Sequence, residues 1–216
     1  MPYAIRLHEY GETDKLRWEE FDPGDPGPGE VRLKQEAVGL NFIDVYHRTG
    51  LYPLSSLPGV PGMEGAGTIQ AVGEGVEEFQ AGDRVAYAGV PGAYAQVRLI
   101  PWHRLVQLPE DLGFEQAAAM MLQGMTARYL LHGCFAVGQG HVVLVHAAAG
   151  GVGSLLTQWS RYKGATIIGT AGSPEKIERA RKNGCHHPVN YQEEDFVARV
   201  KEITEERGVD VVYDGV

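Results

Sequence analysis

A glycine-rich turn in the second half of the chain carries the residue types that most directly suggest chemistry. Residues 141–146 form an apolar run typical of a buried strand, and a helical pattern begins at Gly153. On the spacing G-x-G-x-x-G the turn has Ala148, Gly150 and Gly153, so alanine replaces the first glycine. Glycine at the second position lets the backbone approach a pyrophosphate, and the helix N-terminus offers N–H groups and the positive end of its dipole.

The place of this turn, between a strand and a helix of a βαβ unit, favours a dinucleotide site over a purely structural glycine turn. Glycine at the third position would let the helix and the strand pack closely. The predicted cofactor contacts from the turn are Gly150, Gly151, Val152 and Gly153.

The end of the next strand predicts which dinucleotide binds. An NAD site usually places an acid there to hold the ribose hydroxyls, but here Gly172 and Ser173 follow the strand, and the first carboxylate is Glu175. Ser173 can donate a hydrogen bond, and Lys176 supplies a cation in the first turn of the following helix, which suits a 2′-phosphate. We therefore predict NADPH, with Gly172, Ser173 and Lys176 as contacts. The alternative is that Lys176 belongs to a solvated helix face.

The elements that must position these residues change in character near Phe114. Before it, short alternating strands are separated by Gly- and Pro-rich turns, which is typical of a barrel or sandwich. After it we expect helices over residues 114–121 and 126–132, broken at Gln123–Gly124. Strands over residues 141–146, 165–170, 187–190 and 209–213 then alternate with helices, which predicts an α/β fold with a parallel doubly wound sheet. We place the two domains at residues 1–122 and 123–216.

Composition and charge limit the classes of partner. The chain has 216 residues, two cysteines and a formal net charge of −9. That charge weighs against nucleic acid and anionic membrane as partners, which favour basic surfaces. No apolar run approaches the ~20 residues of a membrane span. With neither a secretory signal nor a cysteine framework visible, we expect a cytoplasmic protein.

Ordered segments along the whole chain resemble a known family. They are residues 41–46 (NFIDVY), 50–53 (GLYP), 61–67 (PGMEGAG), 81–85 (AGDRV), 124–127 (GMTA), 146–153 (HAAAGGVG), 190–191 (NY) and 211–214 (VVYD). With these segments the chain resembles the zinc-independent quinone oxidoreductases, which are related to zeta-crystallin and belong to the medium-chain dehydrogenase/reductase superfamily. The resemblance implies a GroES-like β-rich catalytic domain and a Rossmann dinucleotide-binding domain.

The same resemblance bears on metal. Zinc dehydrogenases of this superfamily have a cysteine at the place of Asn41 and a histidine at the place of Met63, and their structural zinc lobe has four clustered cysteines. Amide and thioether groups do not suit Zn²⁺, which prefers thiolate and imidazole. We therefore expect no zinc.

Without that Lewis acid, alcohol oxidation is disfavoured. A quinone accepts hydride readily and spreads the charge over its ring.

The resemblance also suggests roles for individual side chains. Tyr46 and Tyr52, expected on the loop after Asn41, are candidate proton donors. In related enoyl-thioester reductases, a tyrosine that matches Tyr52 is implicated as the proton donor. Both tyrosines could instead be aromatic anchors. Asn41 corresponds to a residue near the nicotinamide ribose and amide, and Thr126 and Tyr191 to further cofactor contacts. The alternatives are a turn-forming Asn41, an N-cap at Thr126 and a surface tyrosine at Tyr191.

Three functions stay open at this point. The first is an NADPH:quinone oxidoreductase acting on a small molecule. The second is an NADPH-dependent reductase of activated C=C bonds in alkenals or enoyl thioesters, since the same hydride geometry serves both. The third is a non-catalytic, crystallin-like NADPH-binding protein.

The length is short for this fold. A dinucleotide domain with strand order 3-2-1-4-5-6 needs two strands beyond the four expected here. We therefore expect a chain truncated after its fourth strand, and a homodimer for the full-length protein.

Overall fold

The computed structural model describes residues 1–215 and separates into two compact units, Met1–Leu122 and Gln123–Val216. The boundary falls within one helix, α2 (Phe114–Arg128). Each unit has its own buried apolar clusters and is described separately.

The first unit is built on antiparallel strands. Strands β1 (Tyr3–Leu7) and β2 (Leu16–Glu20) form a two-stranded sheet. A five-stranded antiparallel sheet has the order β6-β3-β4-β5-β7. Its strands are β3 (Glu30–Val38), β4 (Glu64–Val72), β5 (Arg84–Ala88), β6 (Val97–Pro101) and β7 (Val106–Gln107). The alternating run over residues 93–99 predicts a strand, but β6 begins only at Val97, and Ala95 makes an isolated bridge to Ala4.

A helix in this unit corrects the loop expected after Asn41. Helix α1 (Phe42–Thr49) begins with Asn41 as its N-cap and ends at Gly50, which adopts φ 82°. The Asp44 carboxylate accepts a hydrogen bond from the Asn41 backbone N–H at 2.8 Å, as in a capping box. Tyr46 is therefore on a helix, where its ring has a fixed direction, and only Tyr52 lies in the loop that follows.

The second unit contains a parallel sheet with the order β10-β9-β8-β11. The strands are β8 (Val142–Val145), β9 (Thr166–Ala171), β10 (His187–Asn190) and β11 (Val211–Tyr213). They alternate with helices α3 (Gly151–Tyr162), α4 (Pro174–Lys182) and α5 (Phe196–Ile203). In chain order this is 3-2-1-4, so the predicted doubly wound Rossmann arrangement is confirmed for these four strands.

Two helix boundaries differ from the expectations. Helix α2 runs uninterrupted through Gln123 and Gly124 and continues as a π-helical segment, Tyr129–Cys134. Thr126 lies inside this helix, so its alternative role as an N-cap is wrong. The sequence pattern predicts a helix over residues 193–207, but α5 begins at Phe196 because the Asp195 carboxylate caps it, accepting from the Val197 N–H at 2.9 Å.

Candidate functional site

A cleft of about 740 Å³ in the second unit lies at the carboxyl ends of the four parallel strands. This is the edge at which doubly wound sheets bind ligands, next to the point where the strand order reverses. The lining residues end or follow the four strands β8, β9, β10 and β11, or lie in the first two turns of α4 and at the start of α5. They are His146, Ala147, Ala149, Gly150, Thr170, Ala171, Gly172, Lys176, Arg179, Tyr191, Phe196 and Asp214.

The glycine turn between β8 and α3 divides the predicted contacts into two kinds. Gly150 lines the cleft and is the N-cap of α3. Gly153 is buried, and a Cβ added to it would lie 2.2 Å from the Ala147 carbonyl oxygen. Close approach of α3 to the turn therefore requires glycine at this position. Gly151 and Val152 complete the first turn of α3 without lining the cleft.

The end of β9 offers cations where an NAD site would offer an acid. The Ser173 hydroxyl accepts a hydrogen bond from the Lys176 backbone N–H at 3.3 Å, so Ser173 is the N-cap of α4, as a serine directly before Pro174 predicts. Lys176 and Arg179 both line the cleft. Tyr191 lies against Gly172, where a Cβ would approach its hydroxyl to 2.4 Å. This edge of the cleft is positive and has an aromatic wall.

Eight of these twelve lining residues, among them His146, Arg179, Phe196 and Asp214, are not among the contacts predicted from the sequence. His146 Nδ1 lies 2.9 Å from the Thr170 hydroxyl, and its ring makes an edge contact with Phe196 at 5.1 Å between centroids. Arg179 could have been found from its spacing, because residues three apart on a helix share a face. Phe196 and Asp214 follow Tyr191 and Tyr213 at the same sheet edge, and only the fold brings them to the cleft.

In the first unit, Asn41 is held by two buried acids. Its side-chain Nδ2 donates to Glu64 Oε1 at 2.6 Å, and its backbone N–H donates to Asp44. The other Glu64 oxygen accepts from the Leu122 N–H at 2.7 Å. Glu64, for which the sequence revealed no partner, is fully buried. Asn41 is thus both a helix N-cap and part of a polar network.

Tyr94 completes that network. Its hydroxyl donates to Asp44 Oδ2 at 2.6 Å. Burial and this hydrogen bond to Asp44 raise the pKa of Tyr94 well above its usual value, so the hydroxyl remains a proton-bearing donor. The network fixes the N-terminus of α1 and, with it, the direction of the Asn41 side chain.

The two candidate proton donors are neighbours. The rings of Tyr46 and Tyr52 meet edge to face with centroids 5.2 Å apart, and Phe42 makes a similar contact with Tyr46. Tyr52 is about half exposed and Tyr46 is partly buried. The other candidate contact, Thr126, is partly buried within α2. Their roles stay predictions.

Two kinds of feature are absent from the described residues, 1–215. No group of three or more His, Cys, Asp and Glu side chains there is arranged to hold a metal ion. Likewise, none of the helices in that range has the length and apolar character needed to cross a bilayer.

Comparison with known proteins identifies the family. Residues 27–110 match the family described as alcohol dehydrogenase GroES-like domain, and residues 151–216 match the one described as zinc-binding dehydrogenase. The quinone oxidoreductase of Pseudomonas aeruginosa is 46% identical over 217 residues, covering 100% of this chain and 67% of that protein. The chain belongs to the quinone oxidoreductase family of medium-chain dehydrogenases/reductases. The predicted resemblance and fold class are therefore confirmed.

Two further relatives of this quinone oxidoreductase family member are informative. A 2-haloacrylate reductase from Burkholderia sp. is 48% identical over 222 residues, covering 100% of this chain and 67% of that protein. The structure of Escherichia coli quinone oxidoreductase complexed with NADPH has a TM-score of 0.96 and 45% identity, covering 98% of this chain and 65% of that one. The chain thus spans about two thirds of the length of these relatives.

Proposed function

We propose that this chain is part of an NADPH-dependent quinone reductase that transfers hydride to a small quinone-like molecule without a metal. The observation that carries the proposal is the cleft at the end of β9, where Lys176 and Arg179 line a wall that has no carboxylate at the strand end. An anionic 2′-phosphate is favoured there and a free ribose diol has no acid to bind it. The NADPH complex of the E. coli relative supports the same cofactor.

Each predicted contact then has a task. Gly150 and the backbone N–H groups of the first turn of α3, at Gly151 and Val152, would receive the pyrophosphate, and Gly153 would allow the close packing that aims this helix N-terminus at it. Gly172, Ser173, Lys176 and Tyr191 bind the adenosine end, and Asn41 and Thr126 bind the nicotinamide end. When bound, NADPH supplies the hydride. Tyr46 or Tyr52 hydrogen-bonds the acceptor oxygen on which negative charge develops, and donates the proton.

A second function keeps a specific support, because a 2-haloacrylate reductase is 48% identical to this chain. Its name describes reduction of an activated C=C bond, for which the same hydride geometry serves. For the full-length protein, we expect NADPH to be oxidised faster with a quinone as the acceptor than with an enone. If only the enone is reduced, quinone reduction is wrong and the second function is favoured. Tight NADPH binding without turnover of the quinone or the enone would favour a non-catalytic role.

Further proposals follow from the sequence and the family. We propose a GroES-like substrate domain over residues 1–122 and a cofactor domain from residue 123. We also propose a cytoplasmic location, no zinc, no nucleic-acid or membrane partner, and a homodimer of the full-length protein. The net charge of −9 supports the exclusion of nucleic acid.

Replacing Lys176 with alanine tests the cofactor assignment. We expect NADPH affinity to fall by ~10-fold, the effect of losing about 1.4 kcal/mol of charge-assisted binding, with NADH affinity nearly unchanged. Thermal-shift titrations with both dinucleotides measure the difference. Lys182→Ala is the control, because Lys182 is on the same helix and does not line the cleft. An unchanged NADPH/NADH ratio in Lys176→Ala refutes the assigned role.

A further inference from the structure

Helix α4 presents a second cation to the cleft besides Lys176. Arg179 follows Lys176 by three residues and lines the same cleft. Two other basic residues of this helix, Arg181 and Lys182, are not among the lining residues. The position of Arg179 is therefore specific to the cofactor-facing side of α4, and a general basic character of the helix does not account for it.

Arg179 forms an exposed ion pair that contributes little free energy. Its Nη2 lies 3.2 Å from Glu175 Oε1, one helical turn earlier. The side chains are 57% and 83% exposed, respectively. Exposed pairs of this kind contribute at most about 1 kcal/mol. The guanidinium can therefore exchange this carboxylate for a stronger anionic partner at little cost.

A phosphate monoester is such a partner. It carries close to two negative charges at neutral pH, and a guanidinium binds it through two parallel hydrogen bonds where a lysine acts as a point charge. The Glu175 carboxylate opposes the same phosphate in two ways, because it repels the anion and competes for Arg179.

We propose that Arg179 transfers from Glu175 to the 2′-phosphate of NADP(H), and that Glu175 limits the preference for NADPH over NADH. This inference rests on the proposed function, which supplies the cofactor. Within it, Lys176 and Arg179 together set cofactor selectivity, and Glu175 reduces it.

The test measures dissociation constants of NADPH and NADH at fixed salt for full-length protein variants. For Arg179→Ala we expect NADPH to bind ~10-fold more weakly while NADH changes by less than ~2-fold. For Glu175→Gln we expect NADPH to bind ~3-fold more tightly with NADH unchanged, since repulsion and competition both disappear. The matched controls are Arg181→Ala and Glu178→Gln, which disrupt a similar exposed pair at 2.7 Å on the same helix.

Each of the other outcomes contradicts a specific part of the proposal. An unchanged NADPH/NADH ratio in Arg179→Ala overturns the transfer of Arg179, and so does an equal loss of both cofactors, which indicates a structural role. An unchanged ratio in Glu175→Gln overturns the role of Glu175. A wild-type protein that binds NADH more tightly than NADPH refutes the proposed function itself, and this inference with it.

Discussion

Alanine at Gly153 is expected to lower the free energy of unfolding by about 3 kcal/mol and to weaken NADPH binding by ~10-fold. A Cβ on this residue would lie 2.2 Å from the Ala147 carbonyl oxygen, 2.9 Å from its carbonyl carbon and 3.0 Å from the Ala148 Cα. All three are backbone atoms, so the clash cannot be relieved by rotating a side chain. Helix α3 must move away from the turn, and its N-terminus then no longer points at the proposed pyrophosphate position.

A second Gly→Ala substitution in a helix of the same unit provides the control. Gly124 lies within α2, and a Cβ there would meet nothing within 4 Å. Gly124→Ala is therefore expected to stabilise the protein by ~0.5–1 kcal/mol, because alanine has the higher helix propensity. Urea unfolding followed by circular dichroism measures both changes. A Gly153→Ala protein as stable as the wild type would show that α3 does not need this close approach.

The contrast between these two glycines shows how far local sequence determines the fold. The turn at Gly150 and Gly153 is predictable because a buried strand precedes it and a βαβ unit contains it. The sequence predicts a helix break at Gly124, but the cost of a glycine there, about 1 kcal/mol, is small beside the burial of Ala117, Ala118 and Leu131 along the same continuous stretch. Tertiary packing outweighed the local signal.

The residues of the candidate site also differ in whether a local sequence signal predicts them. Ser173 and Lys176 were found from sequence because an N-cap and a first-turn cation are local features. Arg179 was detectable from its helical spacing and was missed. Helix α1 was missed although Asn41 and Asp44 have capping-box spacing and Gly50 ends the helix.

The contact between Asn41 and Glu64 has no local signal at all. The two residues are 23 positions apart and meet only because α1 begins beside the start of β4. A sequence pattern can predict that a carboxylate is buried, but only the three-dimensional structure shows which hydrogen-bond donors contact it.

Removing that carboxylate should strongly destabilise the first unit. Glu64 is fully buried, and its two oxygens accept from Asn41 Nδ2 at 2.6 Å and from the Leu122 N–H at 2.7 Å. Each hydrogen bond to a charged acceptor contributes about 1.5–3 kcal/mol. Glu64→Ala is therefore expected to lower the free energy of unfolding by about 3–5 kcal/mol, measured by urea unfolding.

The isosteric variant separates the hydrogen bonds from the cavity. Glu64→Gln keeps the volume and one acceptor oxygen, but it places an NH₂ group against the second donor, so we expect a loss of about 1–3 kcal/mol. Glu36→Gln, which alters only a partly exposed pair with Lys34 on β3, should stay within about 0.5 kcal/mol of the wild type. If Glu64→Gln is as stable as that control, the two hydrogen bonds do not stabilise the fold. A loss of the expected size would show that Glu64, which accepts from both Asn41 and Leu122, stabilises the first unit through these hydrogen bonds. The proposed nicotinamide contact, Asn41, is then held in place by a residue that also stabilises the fold.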